Sequence, residues 1–332
     1  MLANPHYLRD RPEMFSDPLS DALDLLNAES AVSGTLLAGG PWNIRFPRPG
    51  KIKFNAVVKG SAWLVLDDSG LAPIRLEAGD AVLFKGTHSF VIASDLSAPE
   101  VMAVDLFRDT IGRTARVGRA DEYHAVGGHV SFNATGIDLL LGGLPSVIHV
   151  KASAPEANVI GWLLNQLVRE MDTNRPGAAC AAAQLAQLVF VQVMRAHIDT
   201  AEPLAAGWLK AIGDEKIAPA IRLMHAEPAR NWQLSDLAKA VGMSRTSFAE
   251  RFKMVAGVAP LAYLANWRMR LAERALRDGS EPVSALALSL GYTSESAFSN
   301  AFKRIVGQPP NRYRATARNE VVLEEDEFDD VA

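Results

Sequence analysis

Two stretches of this chain set short polar side chains between paired phenylalanines at matched spacing. One reads Gly242-Met243-Ser244-Arg245-Thr246-Ser247-Phe248-Ala249-Glu250-Arg251-Phe252-Lys253 and continues to Gly257 and Pro260. The other reads Gly291-Tyr292-Thr293-Ser294-Glu295-Ser296-Ala297-Phe298-Ser299-Asn300-Ala301-Phe302-Lys303-Arg304 and continues to Gly307 and Pro310. On a helix, the two Phe at i and i+4 turn inward together. The outer face then carries Arg245, Thr246, Ser247, Ala249 and Glu250 in the first copy, and Glu295, Ser296, Ser299 and Asn300 in the second. Hydroxyl, amide and carboxylate groups held this way can hydrogen-bond base edges, and neighbouring Arg and Lys can hold phosphate oxygens. That chemistry is recognition, with no bond made or broken.

The elements needed to position these faces follow from the flanking residues. A short apolar helix pattern precedes each copy, Leu234 to Val241 and Val283 to Leu290. Gly242 and Gly291 close those helices, where a left-handed backbone suits a residue without Cβ. Ser244, and Thr293 or Ser294, supply the N-cap oxygen of the next helix. The reading is helix, tight turn, helix, made twice, the geometry in which a second helix enters a major groove. Pro260 to Asp278 fits one long connecting helix, with Leu261, Leu264, Trp267, Leu271 and Ala275 on one face and Gly279 at its end. Asp214 to Ala226 reads as an opening helix with Ile217, Ile221 and Met224 inward. A plain helical bundle is the alternative for any one pair; the duplication in a basic segment favours nucleic acid.

Residues from about Ala206 to Arg314 resemble the DNA-binding domain of the AraC/XylS family of bacterial transcription regulators. The second copy, continued through Gly307-Gln308-Pro309-Pro310-Asn311-Arg312-Tyr313-Arg314, carries that family's signature. The resemblance implies base reading by Thr246, Ala249 and Glu250 in one module and by Glu295, Ser296, Ser299 and Asn300 in the other. Phosphate contacts are expected from Arg245, Arg251, Lys253, Arg268, Arg270, Lys303, Arg304, Arg312 and Arg314. Glu250 and Asn300 stand where relatives often place Arg; Glu favours a cytosine amino group and Asn an adenine. The resemblance further implies an activator working with RNA polymerase.

Charge supports the division. The whole chain of 332 residues carries a net −4, yet Ala205 to Ala315 holds sixteen Lys and Arg against nine Asp and Glu. A duplex responds to the local field, because salt screens charge beyond about 10 Å. A single cysteine, Cys180, rules out a disulfide framework and suits a reducing cytoplasm; its Ala-rich surroundings predict a small buried side chain. Met1 to Ser20 lacks the apolar core of a signal peptide. The longest apolar run, Ala181 to Met194, is interrupted by Gln and is expected to be too short for a bilayer, so a cytoplasmic protein with no membrane partner is expected.

The N-terminal half changes period. Asp17 to Asn27 reads as a short amphipathic helix; from Ala31 to about Phe132 apolar residues alternate between turn signals. Many short strands at close spacing predict a barrel or jelly roll. Phe54 to Leu64, Leu76 to Asp80 and Gly86-Thr87-His88 resemble the cupin-type sensor domain found in one branch of the same family. Metal-binding cupins use several His and a Glu; here Asn55 occupies one such position and His88 stands alone, so no metal and no cofactor are expected. An effector pocket is expected to be lined by Asn55, Trp63, Phe84 and His88. His124 and His129 flank Gly127-Gly128, read as a turn. Asn158 to Asp172 and Gly177 to Asp199 read as two helices whose broad apolar faces suit either a dimer interface or packing on the barrel.

The expected architecture is therefore α+β in two domains: a cupin-like β-barrel with helices at 1–150, a helix pair and linker at 151–204, an all-α double helix-turn-helix at 205–315, and an acidic disordered tail at 316–332. The expected function is sequence-specific binding of double-stranded DNA by a homodimeric, effector-responsive transcription regulator. The rival is a cupin-type enzyme or small-molecule binder with a helical assembly domain.

Overall fold

Alternating burial along short strands generates the N-terminal architecture. Strand β4 (Ser61–Leu66) buries Ala62, Leu64 and Leu66 and turns Ser61, Trp63 and Val65 the other way, as a period of two requires. The computed structural model describes residues 17–25, 27–108, 114–119, 122–132, 144–173, 175–199 and 206–317. They form two compact units, one holding the described residues between 27 and 199, the other 17–25 and 206–317.

In the first unit, β1 (Glu29–Ala38), β3 (Ile52–Lys59), β6 (Ala81–Phe84), β9 (Thr114–Val117), β10 (Tyr123–Ser131) and β11 (Val147–Val150) form a six-stranded sheet in the order β11-β6-β3-β10-β1-β9. β2 (Asn43–Phe46), β4, β5 (Ile74–Glu77), β7 (Phe90–Ala93) and β8 (Glu100–Met102) form a five-stranded sheet, β5-β4-β7-β2-β8. Inward residues of both sheets, among them Leu36, Ile44, Val57, Leu64, Leu76 and Ile92, share one core. A short helix, α2 (Ala103–Phe107), follows β8, and two longer ones, α3 (Ala157–Asp172) and α4 (Ala178–Asp199), follow the strands; these two pack on each other, and α4 lies on β1.

Several expectations are changed or narrowed here. Gly127-Gly128 is no turn but the middle of β10, paired with Asn55 and Phe54 on one side and with β1 on the other. A Cβ at Gly128 would lie 2.1 Å from the Phe54 ring, so the glycine marks close approach inside a strand. The helix pair spends most of its apolar face on packing, with Ile160, Leu163, Leu164 and Leu167 of α3 and Ala186, Val189, Phe190 and Val193 of α4 buried. Cys180 is exposed, since it lies on the far side of α4 from Ala182 and Ala186. At 22 residues α4 is long and apolar enough to cross a bilayer, contrary to the length expected, although its apolar stripe packs on α3 and the sheet.

The second unit is all helix. α1 (Pro18–Leu25), capped by Asp17 accepting from the Leu19 and Ser20 amides, belongs to this unit rather than to the domain that follows it in sequence. Asp21 Oδ2 lies 3.2 Å from His225 Nδ1, His225 Nε2 lies 2.8 Å from Tyr263 Oη, and the imidazole stacks on Trp267. The opening helix is shorter than expected and is preceded by another: α5 (Trp208–Gly213) and α6 (Ala218–Ala226) are separated where the Asp214 carboxylate accepts the Lys216 and Ile217 amides. Of the expected linker at 202–207, residues 202–205 lie outside the described residues, as does the tail beyond residue 317; 310–317 is helical and buries Ala317.

Candidate nucleic-acid interface

The duplicated stretch folds as two matching modules. α7 (Leu234–Ala240) and α8 (Arg245–Ala256) make the first, α10 (Val283–Ser289) and α11 (Glu295–Val306) the second, and α9 (Pro260–Asp278) joins them over the span expected. Ser244 Oγ accepts the Ser247 amide at 3.2 Å, and Ser294 Oγ accepts the Ala297 amide at 3.1 Å. Each cap satisfies an amide the helix itself leaves unpaired and starts the recognition helix at the same point. Phe248, Phe252, Phe298 and Phe302 are fully buried, which fixes the rotation of each helix about its axis. Consequently Thr246, Glu250, Glu295, Ser296 and Asn300 are exposed, with Ala249 and Ser299 at the edge of the same faces.

The nine basic candidates separate into two groups. Arg245, Lys253, Lys303, Arg304 and Arg312 are exposed. The other four are engaged within the protein. Arg251 makes a two-point pair with Asp214, at 3.1 Å and 2.8 Å. Arg270 Nη1 donates to Glu273 Oε2 at 2.9 Å, and Arg314 donates to the Glu281 carbonyl. Arg268 donates to the Pro228 carbonyl at 2.6 Å and the Arg230 carbonyl at 2.9 Å, and its guanidinium lies over the Tyr292 ring. Burial lowers the Arg268 pKa, the mark of a cation used as an internal brace. Spacing alone could not separate the groups, because all nine fall on polar faces; what engages these four comes from other segments or the next turn.

Arg268 belongs to a knot between the modules. Its two acceptors lie in the loop before α7, and its aromatic partner lies in the turn of the second module. Gly291, in that same turn at φ +80°, is so close to the loop that a Cβ would sit 2.1 Å from the Ala229 carbonyl oxygen. Gly242, its counterpart at φ +65°, has open space where a Cβ would go. The loop before the first module and the turn of the second are thus clamped together.

A buried carboxyl lies in the connecting helix. Desolvation pushes Glu273 up to about 7, against the pull of Arg270 and Arg277. The folded protein holds this proton more tightly than the unfolded chain, whose carboxyl titrates near 4.5. This group's contribution is full below that value and is lost as pH rises through about 7. Glu273→Gln is expected to be more stable than the parent by about 2 kcal/mol at pH 8, with the difference closing near pH 4.5, in urea unfolding at the two pH values.

The first unit offers a separate cavity of about 390 Å³, bordered by Ser33, Lys53, Asn55 and a wall of phenylalanines. Of the four residues expected to line an effector pocket, Asn55 and Phe84 border this cavity, and Trp63 and His88 do not. Trp63 sits on the outward register of β4 with Arg75 over its ring. Sequence reasoning passed over Lys53, although its place two residues before Asn55 on one strand puts both on the same face. Among the described residues no three metal-capable side chains gather.

A family model described as Cupin matches residues 17–199, and one described as Helix-turn-helix domain matches 237–316. A Streptomyces lividans protein described as an AraC-like transcription regulator is 41% identical over 302 residues, covering 90% of this chain and 98% of its own length. A Streptomyces antibioticus protein of the same description is 40% identical over 299 residues, with the same coverage. Among solved structures, the DNA-binding domain of AdpA in complex with a target DNA is 29% identical, covering 32% of this chain and 96% of that one at a TM-score of 0.31.

Proposed function

The chain belongs to the AraC-like transcription regulators, DNA-binding regulators rather than enzymes, and from that premise we propose how it reads DNA and what it responds to. α8 and α11 enter successive major grooves, with Thr246, Ala249 and Glu250 reading one set of bases and Glu295, Ser296, Ser299 and Asn300 the other. Arg245, Lys253, Lys303, Arg304 and Arg312 hold phosphates. The observation that carries this reading is the pair of identically capped helices, each anchored by two buried Phe and each exposing the polar face between them. Binding is measured by fluorescence anisotropy against salt, using duplexes from upstream of the chain's own gene and its neighbours. The expected result is a steep linear fall of log K with log salt; a flat response, or no binding at low salt, overturns the reading.

The cupin domain serves as an effector sensor, supported by its cavity, and the protein acts in the cytoplasm as an activator alongside RNA polymerase. It works as a homodimer. Support for a second copy comes from Val159 and Trp162 of α3 and Leu188 of α4, exposed apolar side chains that neither the sheet nor the partner helix covers. Trp162, 60% exposed, is the largest of these. Trp162→Glu is expected to raise the dimer dissociation constant at least tenfold in sedimentation equilibrium; an unchanged constant removes this face from the interface.

A further inference from the structure

The cavity of the cupin unit has one polar wall, and its groups are specific enough to name a ligand class. Lys53 and Asn55 project from the same face of β3. Ser33 lies where the β1–β10 register slips between Val32 and Gly34, and such a bulge re-aims a side chain. Its Oγ stands 3.1 Å from Lys53 Nζ and 3.1 Å from His129 Nδ1. The ammonium can only donate, so Ser33 accepts from it, and the same hydroxyl is paired with His129 Nδ1. Beside this chain the sheet carries Gly127, paired with Asn55, and Gly34, paired with Gly127, so backbone alone floors the space in front of Asn55.

Two needs of this wall are unmet among the described residues. Among these residues no carboxylate pairs with Lys53, and burial, aided by Lys51, lowers its pKa. Asn55 Oδ1 is buried without a hydrogen-bond donor. An uncompensated cation and an orphaned acceptor are both costly in an apolar enclosure, and a ligand supplying an anion and a donor relieves both. The rest of the lining is apolar and aromatic: Phe84, the cross-strand partner of Lys53, stands edge-on to Phe90, which stacks on Phe46.

We propose that this cavity receives an apolar monocarboxylic acid bearing a hydroxyl or N–H donor next to its carboxylate, of the 2-hydroxy or 2-amido acid class. The carboxylate meets Lys53, the adjacent donor meets Asn55 Oδ1, and the apolar body lies on the phenylalanines. The volume lies at the compact end of the ~300–1,000 Å³ typical of ligand sites, which suits one ring or a short branched chain. This assignment deepens the sensor reading and rests on it.

The test titrates the full-length protein calorimetrically with 3-phenyllactate, 3-phenylpropionate and 3-phenyl-1-propanol. Expected affinities fall in that order, by roughly tenfold at each step. Lys53→Met is expected to lose the preference of 3-phenylpropionate over 3-phenyl-1-propanol while keeping that of the hydroxy acid over 3-phenylpropionate, and Asn55→Leu to keep the acid over the alcohol while losing the preference for the hydroxy acid. Retained binding of the alcohol shows that a variant's cavity is intact; where a variant does not fold, the wild-type order decides alone. The proposal is overturned if none of the three binds, if the alcohol binds wild type as tightly as the acids, or if Lys53→Met keeps the acid preference. A parallel DNA titration with and without 3-phenyllactate separates the two readings. Acid binding with unchanged DNA affinity overturns effector control and leaves the site assigned.

Discussion

Replacing Arg245 and Arg304 together with alanine is expected to weaken DNA binding about a hundredfold near ~0.15 M salt, and to do so for every sequence tested. The two residues lie on different modules, at the first position of α8 and near the end of α11, and both are exposed. Each lost phosphate contact releases about one counterion fewer, so the slope of log K against log salt should flatten by about 2. Because phosphates are the same at every base step, the ratio between operator and random duplex should change little. Anisotropy over a salt series on two unrelated duplexes checks both statements. An unchanged slope removes these side chains from the interface; a loss confined to one sequence makes them base readers instead.

Gly291→Ala is expected to cost the reader domain about 3 kcal/mol or more, while Gly242→Ala, at the equivalent place in the first module, costs about 1 to 2. Both positions hold a left-handed backbone, so both variants bear that penalty. Only at Gly291 does the new methyl meet a fixed backbone carbonyl, that of Ala229, at 2.1 Å. For a domain of this size the difference corresponds to a separation of several degrees in melting temperature. Differential scanning calorimetry of the two variants beside the parent measures it directly. Equal shifts for the two would mean that the turn and the loop are not clamped.

The reader was legible in sequence because its determinants are local. Capping serines, closing glycines and Phe at four-residue spacing each act within one or two turns, and they gave Pro260–Asp278 as a helix at the bounds observed. The strands were legible for the same reason, since alternation is a nearest-neighbour property. What escaped was decided by distant partners. Whether an arginine reaches DNA or an internal carbonyl depends on what folding brings beside it, as Arg268 and the 228–230 loop illustrate. Gly127-Gly128 carries a turn signal in sequence, and only folding brings the Phe54 ring within 2.1 Å of where a Cβ at Gly128 would lie, so the strand needs a residue without a side chain at that position. α1 looked like the first element of the cupin domain because it adjoins β1 in sequence, whereas Asp21 finds its partner in His225, 204 positions away. Lys53 was overlooked since a lysine on a strand usually faces water; here the strand turns it into a cavity.

The clamp through Arg268, Tyr292 and Gly291 has a bearing on promoter architecture. Two readers joined by a flexible hinge would tolerate operators whose boxes differ in separation. Here the braced pair fixes both the distance and the rotational phase between boxes. Inserting a single base pair between them turns one box by about 34–36° around the duplex axis, beyond the reach of helices held in one block. Natural targets should therefore keep an invariant gap, and where that gap does not match a straight duplex, the DNA must curve to meet the protein, making the untouched spacer bases part of the code.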